Sequence, residues 1–261
     1  MATTTFRAWY RRHQLRRGDR KASRGAVKYF VDTWTNYFTP QVGIATVKLL
    51  ENAGFSVDCP HTVCCGRPAI SQGLLAEARQ LAEINVQRLS QAAPPGVPII
   101  GSEPSCILTL VDEYPQLVPT QGARRIASQT FTIESFLRGV LDERPDALRF
   151  RAMESLLLYH AHCHQKAMVG SADAVAVLGT ASGGRASEIN SGCCGMAGSF
   201  GHEVEHYNVA RAIGEQRLFP AIRGRNGAEV AVSGFSCRQQ IEHHTGVQAK
   251  HVVEYLADQL M

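Results

Sequence analysis

Gly192-Cys193-Cys194-Gly195 and its earlier echo, Cys64-Cys65-Gly66, are the stretches whose reading decides the fold. A short apolar run precedes each Cys-Cys-Gly, and a long helical pattern follows it. About forty residues further on, each is followed by Ser-Cys, at Ser105-Cys106 and at Ser236-Cys237. Cys163, thirty residues before Cys193, brings seven of the eight cysteines into one scheme. The doubled array reads as a metal-cluster site built by internal duplication.

Outward from these motifs, each half alternates short apolar strands with helical patterns. In the first half Val27–Val31, Phe55–Val57 and Val97–Gly101 read as strands. Helices are predicted from Pro40 to Gly54, over 73–91, from Pro104 with Ser105 as cap, and over Ile133–Leu141. The second half repeats the order with strands at Leu156–Tyr159 and Val230–Val232. Its helices run through Ala174–Leu178, over 201–222 as one long element, and over Val252–Leu260. Alternation of this kind predicts an α/β fold of two pseudo-repeated βαβαβα lobes with mainly parallel sheets. Residues 27–145 form the first lobe and 146–261 the second, after a leader at 1–26. Ligands in such sheets gather beyond the carboxyl ends of the strands. Every cysteine of the scheme falls in a strand-to-helix loop, so all are expected on that one edge.

With 44% apolar and 19% charged residues the 261-residue chain has the composition of a soluble globular protein. No apolar run approaches the length of a membrane span. Met1 to Arg24 contains nothing of signal-peptide type, so a cytoplasmic location is expected, and eight cysteines in that setting indicate metal or redox chemistry. The net charge of +4 conceals an asymmetry: nine Lys or Arg against Asp19 in residues 1–28 give +8, leaving −4 for the rest. The leader reads as a solvated linker; contact with the inner face of an anionic membrane is the alternative, and no nucleic-acid partner is expected.

Adjacent cysteines close a strained ring on a single tetrahedral ion but readily hold two irons of a polynuclear cluster. The glycine after them lets the backbone approach an inorganic core, and the helix N-terminus beyond supplies amide donors to an anionic centre. Cys163, Cys193, Cys194 and Cys237 make a full set for a 4Fe–4S cluster. The first half offers Cys64, Cys65 and Cys106 as further cofactor-binding residues, with Asp32-Thr33-Trp34 in the slot matching Cys163; a cluster shared across the two halves, with these as neighbours or extra ligands, is the alternative. Cys59 lies on the wrong side of the second strand to complete that set without a loop adjustment. His160, His162 and His164 flank Cys163 and read as donors to sulfur, or as ligands if the metal is zinc. Arg67 and Lys166 stand beside the cysteine loops. A vicinal disulfide at Cys64-Cys65, making the chain a thiol–disulfide oxidoreductase, is a further alternative. No Gly-x-Gly-x-x-Gly or Walker loop accompanies these motifs, so no flavin or nucleotide site is expected on this chain.

The two Cys-Cys-Gly motifs, with Phe30–Phe38, His162–Ala167 and Ser191–Gly198, resemble the cysteine-rich (CCG) domain family. That family includes the B subunit of heterodisulfide reductase, the glycolate oxidase iron–sulfur subunit, and the C-terminal domain of FAD-linked oxidases of D-lactate or D-2-hydroxyacid dehydrogenase type. The resemblance implies a 4Fe–4S electron-transfer module of a flavin-linked 2-hydroxyacid dehydrogenase, with FAD on a partner subunit and a ferredoxin-like iron–sulfur partner. Single cysteines at Cys106 and Cys237 replace the Cys-x-x-Cys of heterodisulfide reductase. Disulfide-reducing activity is therefore not implied.

Overall fold

The computed structural model describes residues 1–17, 22–151 and 153–261. The leader begins with helix α1 (Phe6–Arg17). In the first lobe come β1 (Ala26–Tyr29), α2 (Thr33–Tyr37), α3 (Pro40–Asn52), β2 (Ser56–Asp58), α4 (Arg67–Ser71) and α5 (Leu75–Ala92). They are followed by β3 (Ile99–Gly101), α6 (Pro104–Val111), α7 (Tyr114–Leu117), α8 (Gln121–Ser128), β4 (Thr130–Thr132) and α9 (Ile133–Glu143). The second lobe contains β5 (Leu157–His160), α10 (Cys163–Met168), α11 (Ala172–Ser182), β6 (Ala186–Glu188), α12 (Tyr207–Gln216) and α13 (Leu218–Arg223). It closes with β7 (Glu229–Val232), α14 (Phe235–Thr245), β8 (Lys250–His251) and α15 (Val252–Gln259).

Each lobe has a four-stranded parallel sheet, in the orders β2-β1-β3-β4 and β6-β5-β7-β8. The registers coincide: Tyr29 pairs with Ile100 where Tyr159 pairs with Ala231. Tyr29 Oη lies 2.6 Å from Ser102 Oγ, and Tyr159 Oη 2.7 Å from Ser233 Oγ. On this alignment Phe30 stands opposite His160, Asp32 opposite His162, and Thr33 opposite Cys163. Three strands, β4, β6 and β8, escape the hydrophobic pattern because their two or three residues are mostly polar.

The lobes share a middle layer. Helices α3 and α9 pack against α15 and α11, and one apolar cluster runs from Leu49, Leu50 and Leu137 to Leu178, Val253 and Leu256. Each such buried Leu contributes about 1.5–3 kcal/mol through loss of water contact. Outer layers, α5, α6 and α8 on one sheet and α13 and α14 on the other, have separate cores. At the carboxyl edge the lobes are also joined by polar bonds. Phe235 N–H donates to Glu103 Oε2 at 2.8 Å, and Trp34 stacks on Phe235 at 4.3 Å.

Several sequence expectations are corrected. The helix expected over 201–222 is two 3₁₀ turns followed by α12 and α13, broken at Arg217. Pro220 can neither donate to the carbonyl of Gln216 nor avoid it sterically, so the helix restarts there. Ser105 does not cap α6: Glu103 does, its carboxylate accepting from Ser105 N. The leader is no solvated linker over its first seventeen residues. Phe6 is fully buried, Tyr10 Oη donates to Val57 O at 2.8 Å, and Arg7 donates to the carbonyls of Cys59 and Pro60. A Cβ on Gly43 of α3 would lie 2.5 Å from the Phe6 ring, so the helix interior gives way to the leader. Residues 18–21, part of the same leader, lie outside the described residues.

Candidate metal centre

The end of β5 leads directly into the site. His160 is the last strand residue and Cys163 the first of α10. Cys237 sits in the first turn of α14, and Cys193-Cys194 occupy the loop after β6. Three of the seven cysteines, Cys106, Cys163 and Cys237, thus lie in first helical turns rather than in the loops themselves, where backbone N–H groups have no helical partner.

Cys193 Sγ lies 3.8 Å from Cys163 Sγ and accepts from Gly195 N–H at 3.3 Å. Cys194 and Cys237 complete the chain of contacting sulfurs: their Sγ atoms and a ring nitrogen of His160 all lie within 4.8 Å of one another. Gly195 has φ +99°, and a Cβ there would fall 2.0 Å from Ala210 O. Only glycine lets the loop pass under α12 at this point. A cavity of about 250 Å³ opens over Cys163, Cys193 and Cys194, and its far wall comes from the first lobe through Arg67, Ser71 and Ser105. Cys237, 1% exposed, forms the buried end of the set.

Electrostatics split the four thiols: Cys163 is raised by its bond to Cys193 and by burial, and Cys194 by its bonds to Cys193 and Cys237 and by burial, while the other two are lowered. Hydrogen bonds from Cys163 and Cys194, helped by the Gly195 and Ala197 amides, hold Cys193 well below the usual thiol range. Cys237 is lowered by Cys194 and by His160 and His162, against the cost of its burial. Four sulfurs of differing proton affinity, three separate chain segments, an obligatory glycine and a neighbouring cavity fit a thiolate-ligated cluster.

The first lobe places Cys64, Cys65 and Cys106 in the equivalent arrangement, hydrogen-bonded in series. Thr33 takes the Cys163 position, its hydroxyl bonded to Cys64. Here the thiols are all raised. Cys106, though its bond with Cys65 acts the other way, is pushed up to about 11 by burial and by Asp32 and Glu103. Cys59 is not among them; it packs in the central apolar cluster, under Arg7 and Tyr10.

The histidines divide by task. His162 caps α10, its Nδ1 accepting from His164 N at 3.2 Å. His164 stands near Asp112 and Glu113, a group whose Glu113 is already paired with Arg67; burial, with Arg67 and His162 alongside, lowers it to about 4. Lys166 donates to Ser191 O at 2.8 Å and pairs with Glu188 at 2.7 Å. Of the three histidines read as donors to sulfur, His160 is the one with a ring nitrogen grouped with the Cys194 and Cys237 sulfurs.

Two matched parallel lobes with thiols converging at the carboxyl edge define a duplicated cysteine-site protein. Residues 27–111 match the model of the cysteine-rich domain, CCG, and that stretch is a domain of this family, as the Cys-Cys-Gly motifs implied. Among curated proteins, the C subunit of anaerobic glycerol-3-phosphate dehydrogenase of Escherichia coli (strain K12) is 30% identical over 259 residues, 98% of this chain and 64% of that protein. Lactate utilization protein A of Macrococcus caseolyticus (strain JCSC5402) is 27% identical over 249 residues, covering 90% of this chain and 97% of that one. D-2-hydroxyglutarate dehydrogenase of Escherichia coli (strain K12) is 25% identical over 228 residues, 87% of this chain but 22% of that protein. The chain therefore spans only part of the length of the first and third of these.

Proposed function

We propose that the chain is the iron–sulfur electron-transfer module of a flavin-linked dehydrogenase, with one 4Fe–4S cluster held in the second lobe by Cys163, Cys193, Cys194 and Cys237. The observation that carries this reading is the continuous run of four sulfurs beside a cavity. Such a cluster, when bound, supplies one-electron transfer between a two-electron flavin and a separate acceptor. The chain's own part is to ligate, to aim amide and imidazole dipoles at sulfur, and to exclude water from the Cys194 and Cys237 side, where both residues are almost fully buried. In the first lobe the carboxylates of Asp32 and Glu103 face the thiols, which disfavours an anionic cluster, so Cys64, Cys65 and Cys106 are assigned no metal.

Relatives named for oxidation of glycerol 3-phosphate and D-2-hydroxyglutarate support a partner that oxidises a carbon bearing a hydroxyl group. FAD belongs on that partner, and a ferredoxin-like iron–sulfur subunit is the proposed companion. Among the described residues no helix is long and apolar enough to cross a membrane. The proposed location is cytoplasmic, where thiols stay reduced, with membrane contact, if made, through the basic face of α1.

A zinc-held docking module is the second reading, favoured by the close His160, Cys194 and Cys237 group. Anaerobic purification followed by iron, sulfide and zinc analysis with electron paramagnetic resonance distinguishes the two. About four irons and four sulfides per chain with a reducible signal are expected; a colourless protein holding one zinc and no sulfide refutes the cluster.

A further inference from the structure

His160 is fully buried and sits where the first lobe has Phe30, also buried. An apolar ring suffices to fill this place in the fold, so packing alone does not require an imidazole. Its Nδ1 lies 2.8 Å from Ser191 Oγ, and Ser191 is carried on the loop that leads to Cys193. Nε2 is buried with no hydrogen-bond partner. A ring nitrogen of His160 lies within 4.8 Å of the Cys194 and Cys237 sulfurs, and Nε2 is the one left without another bond. An unpartnered buried ring nitrogen costs about 1–3 kcal/mol, and here it is aimed at the centre assigned above.

We infer that His160 donates its Nε2–H to the sulfur of Cys237 and thereby sets the reduction potential of the centre, as a positioning and tuning residue rather than a ligand. Two considerations separate the roles. Four thiolates already supply one ligand to each iron of a 4Fe–4S cluster. A deprotonated Nε2 would also point its lone pair at two thiolates, whereas the tautomer with its proton on Nε2 faces them with a donor. In that tautomer Nδ1 accepts from the Ser191 hydroxyl at 2.8 Å, a shorter contact than the 3.4 Å from the same hydroxyl to Ile189 O. An N–H···S bond stabilises the more negative, reduced state and so raises the potential. The inference rests on the cluster proposed in the preceding section.

The full chain, reconstituted anaerobically with iron and sulfide, is compared as wild type, His160→Phe and His160→Gln by potentiometric titration followed by electron paramagnetic resonance. His160→Phe, which copies the first lobe, is expected to keep the iron and sulfide content of wild type. Its redox equilibrium should shift at least about tenfold toward the oxidised form, ~59 mV for one electron. His160→Gln retains an N–H donor and should recover part of the shift. Pulsed resonance on the ¹⁵N-histidine-labelled wild type should show a weak coupling to one imidazole nitrogen; this measurement decides the matter if His160→Phe does not fold. Equal potentials in the three proteins, the absence of any ¹⁵N coupling, or a strong coupling from a directly bound nitrogen overturns the inference while leaving the cluster in place. Wild-type protein that takes up no iron and sulfide overturns the cluster and the inference together.

Discussion

The ends of β1 and β5 occupy equivalent places in two lobes of identical topology, yet they carry opposite chemistry. After the shared tyrosine the first lobe has Phe30, Asp32 and Thr33, and the second has His160, His162 and Cys163. Glu103 adds a further carboxylate on the first side, where Gly234 stands on the second. Both lobes string three further cysteines along the same edge, so the number of thiols is not what separates them most. What separates them is the sign of the groups that face the sulfur. Asp32 and Glu103 add to burial in raising Cys106 of the first lobe, whereas Cys194, and then His160 and His162, lower Cys237 at the matching place in the second. On the proposed reading, a duplicated fold keeps its sulfurs in both copies and loads only one.

The sharpest way to break this comparison is a matched pair of substitutions at the buried cysteine of each motif. Cys194→Ser is expected to abolish the iron and sulfide content of reconstituted protein, and Cys65→Ser to leave it at the wild-type level; equal losses in both would show that the lobes act alike. The glycines that follow provide the next largest contrast, read by denaturant unfolding. Gly66 and Gly195 share left-handed backbone, at φ +89° and +99°, but a Cβ on Gly66 has its nearest neighbour at 3.6 Å, against 2.0 Å at Gly195. Gly66→Ala should cost about 1–2 kcal/mol for the backbone alone. Gly195→Ala should cost about 4 kcal/mol or more, since the Ala210 carbonyl must also move.

Asp32 sharpens the comparison through pH. Burial, then the nearby Glu103, pushes its carboxyl up to about 6, against the bonds it accepts from Thr35. Between that value and an unfolded value of about 3.9 the native state binds more protons than the unfolded one, so stability falls as pH rises through this window. The fall attributable to Asp32 is about 3 kcal/mol, less what solvent relaxation returns, and Asp32→Asn should flatten it in a series of unfolding curves from pH 4 to 7. A curve for Asp32→Asn parallel to that of wild type would remove the carboxylate from the account of the first lobe. The smallest expected effect belongs to Thr33→Cys. It restores a fourth thiol to the first lobe but leaves Asp32 and Glu103 in place, so iron per chain should stay at the wild-type value. A doubling would show that the missing sulfur, not the carboxylates, had kept that lobe empty.

Much of this architecture is legible from residue order. The Cys-Cys-Gly to Ser-Cys spacing, the alternation of strand and helix, and the parallel pairing follow from local patterns that survive without knowledge of neighbours. Short strands such as Lys250–His251 do not, because two residues carry no periodicity. Nor does the docking of α1, although Phe6, Trp9, Tyr10 and His13 are spaced for one helical face, because five arginines in the same stretch give it the look of a solvated segment. Residue types and their order thus determined the two-lobed α/β plan and named the seven cysteines of the scheme. Which thiols meet, which carboxylates or imidazoles face them, and that His160 rather than His162 or His164 turns toward sulfur were decided only by tertiary structure. Those outcomes depend on through-space distances between segments far apart in the chain, and electrostatic and hydrogen-bond energies follow distance and burial, not position along the chain.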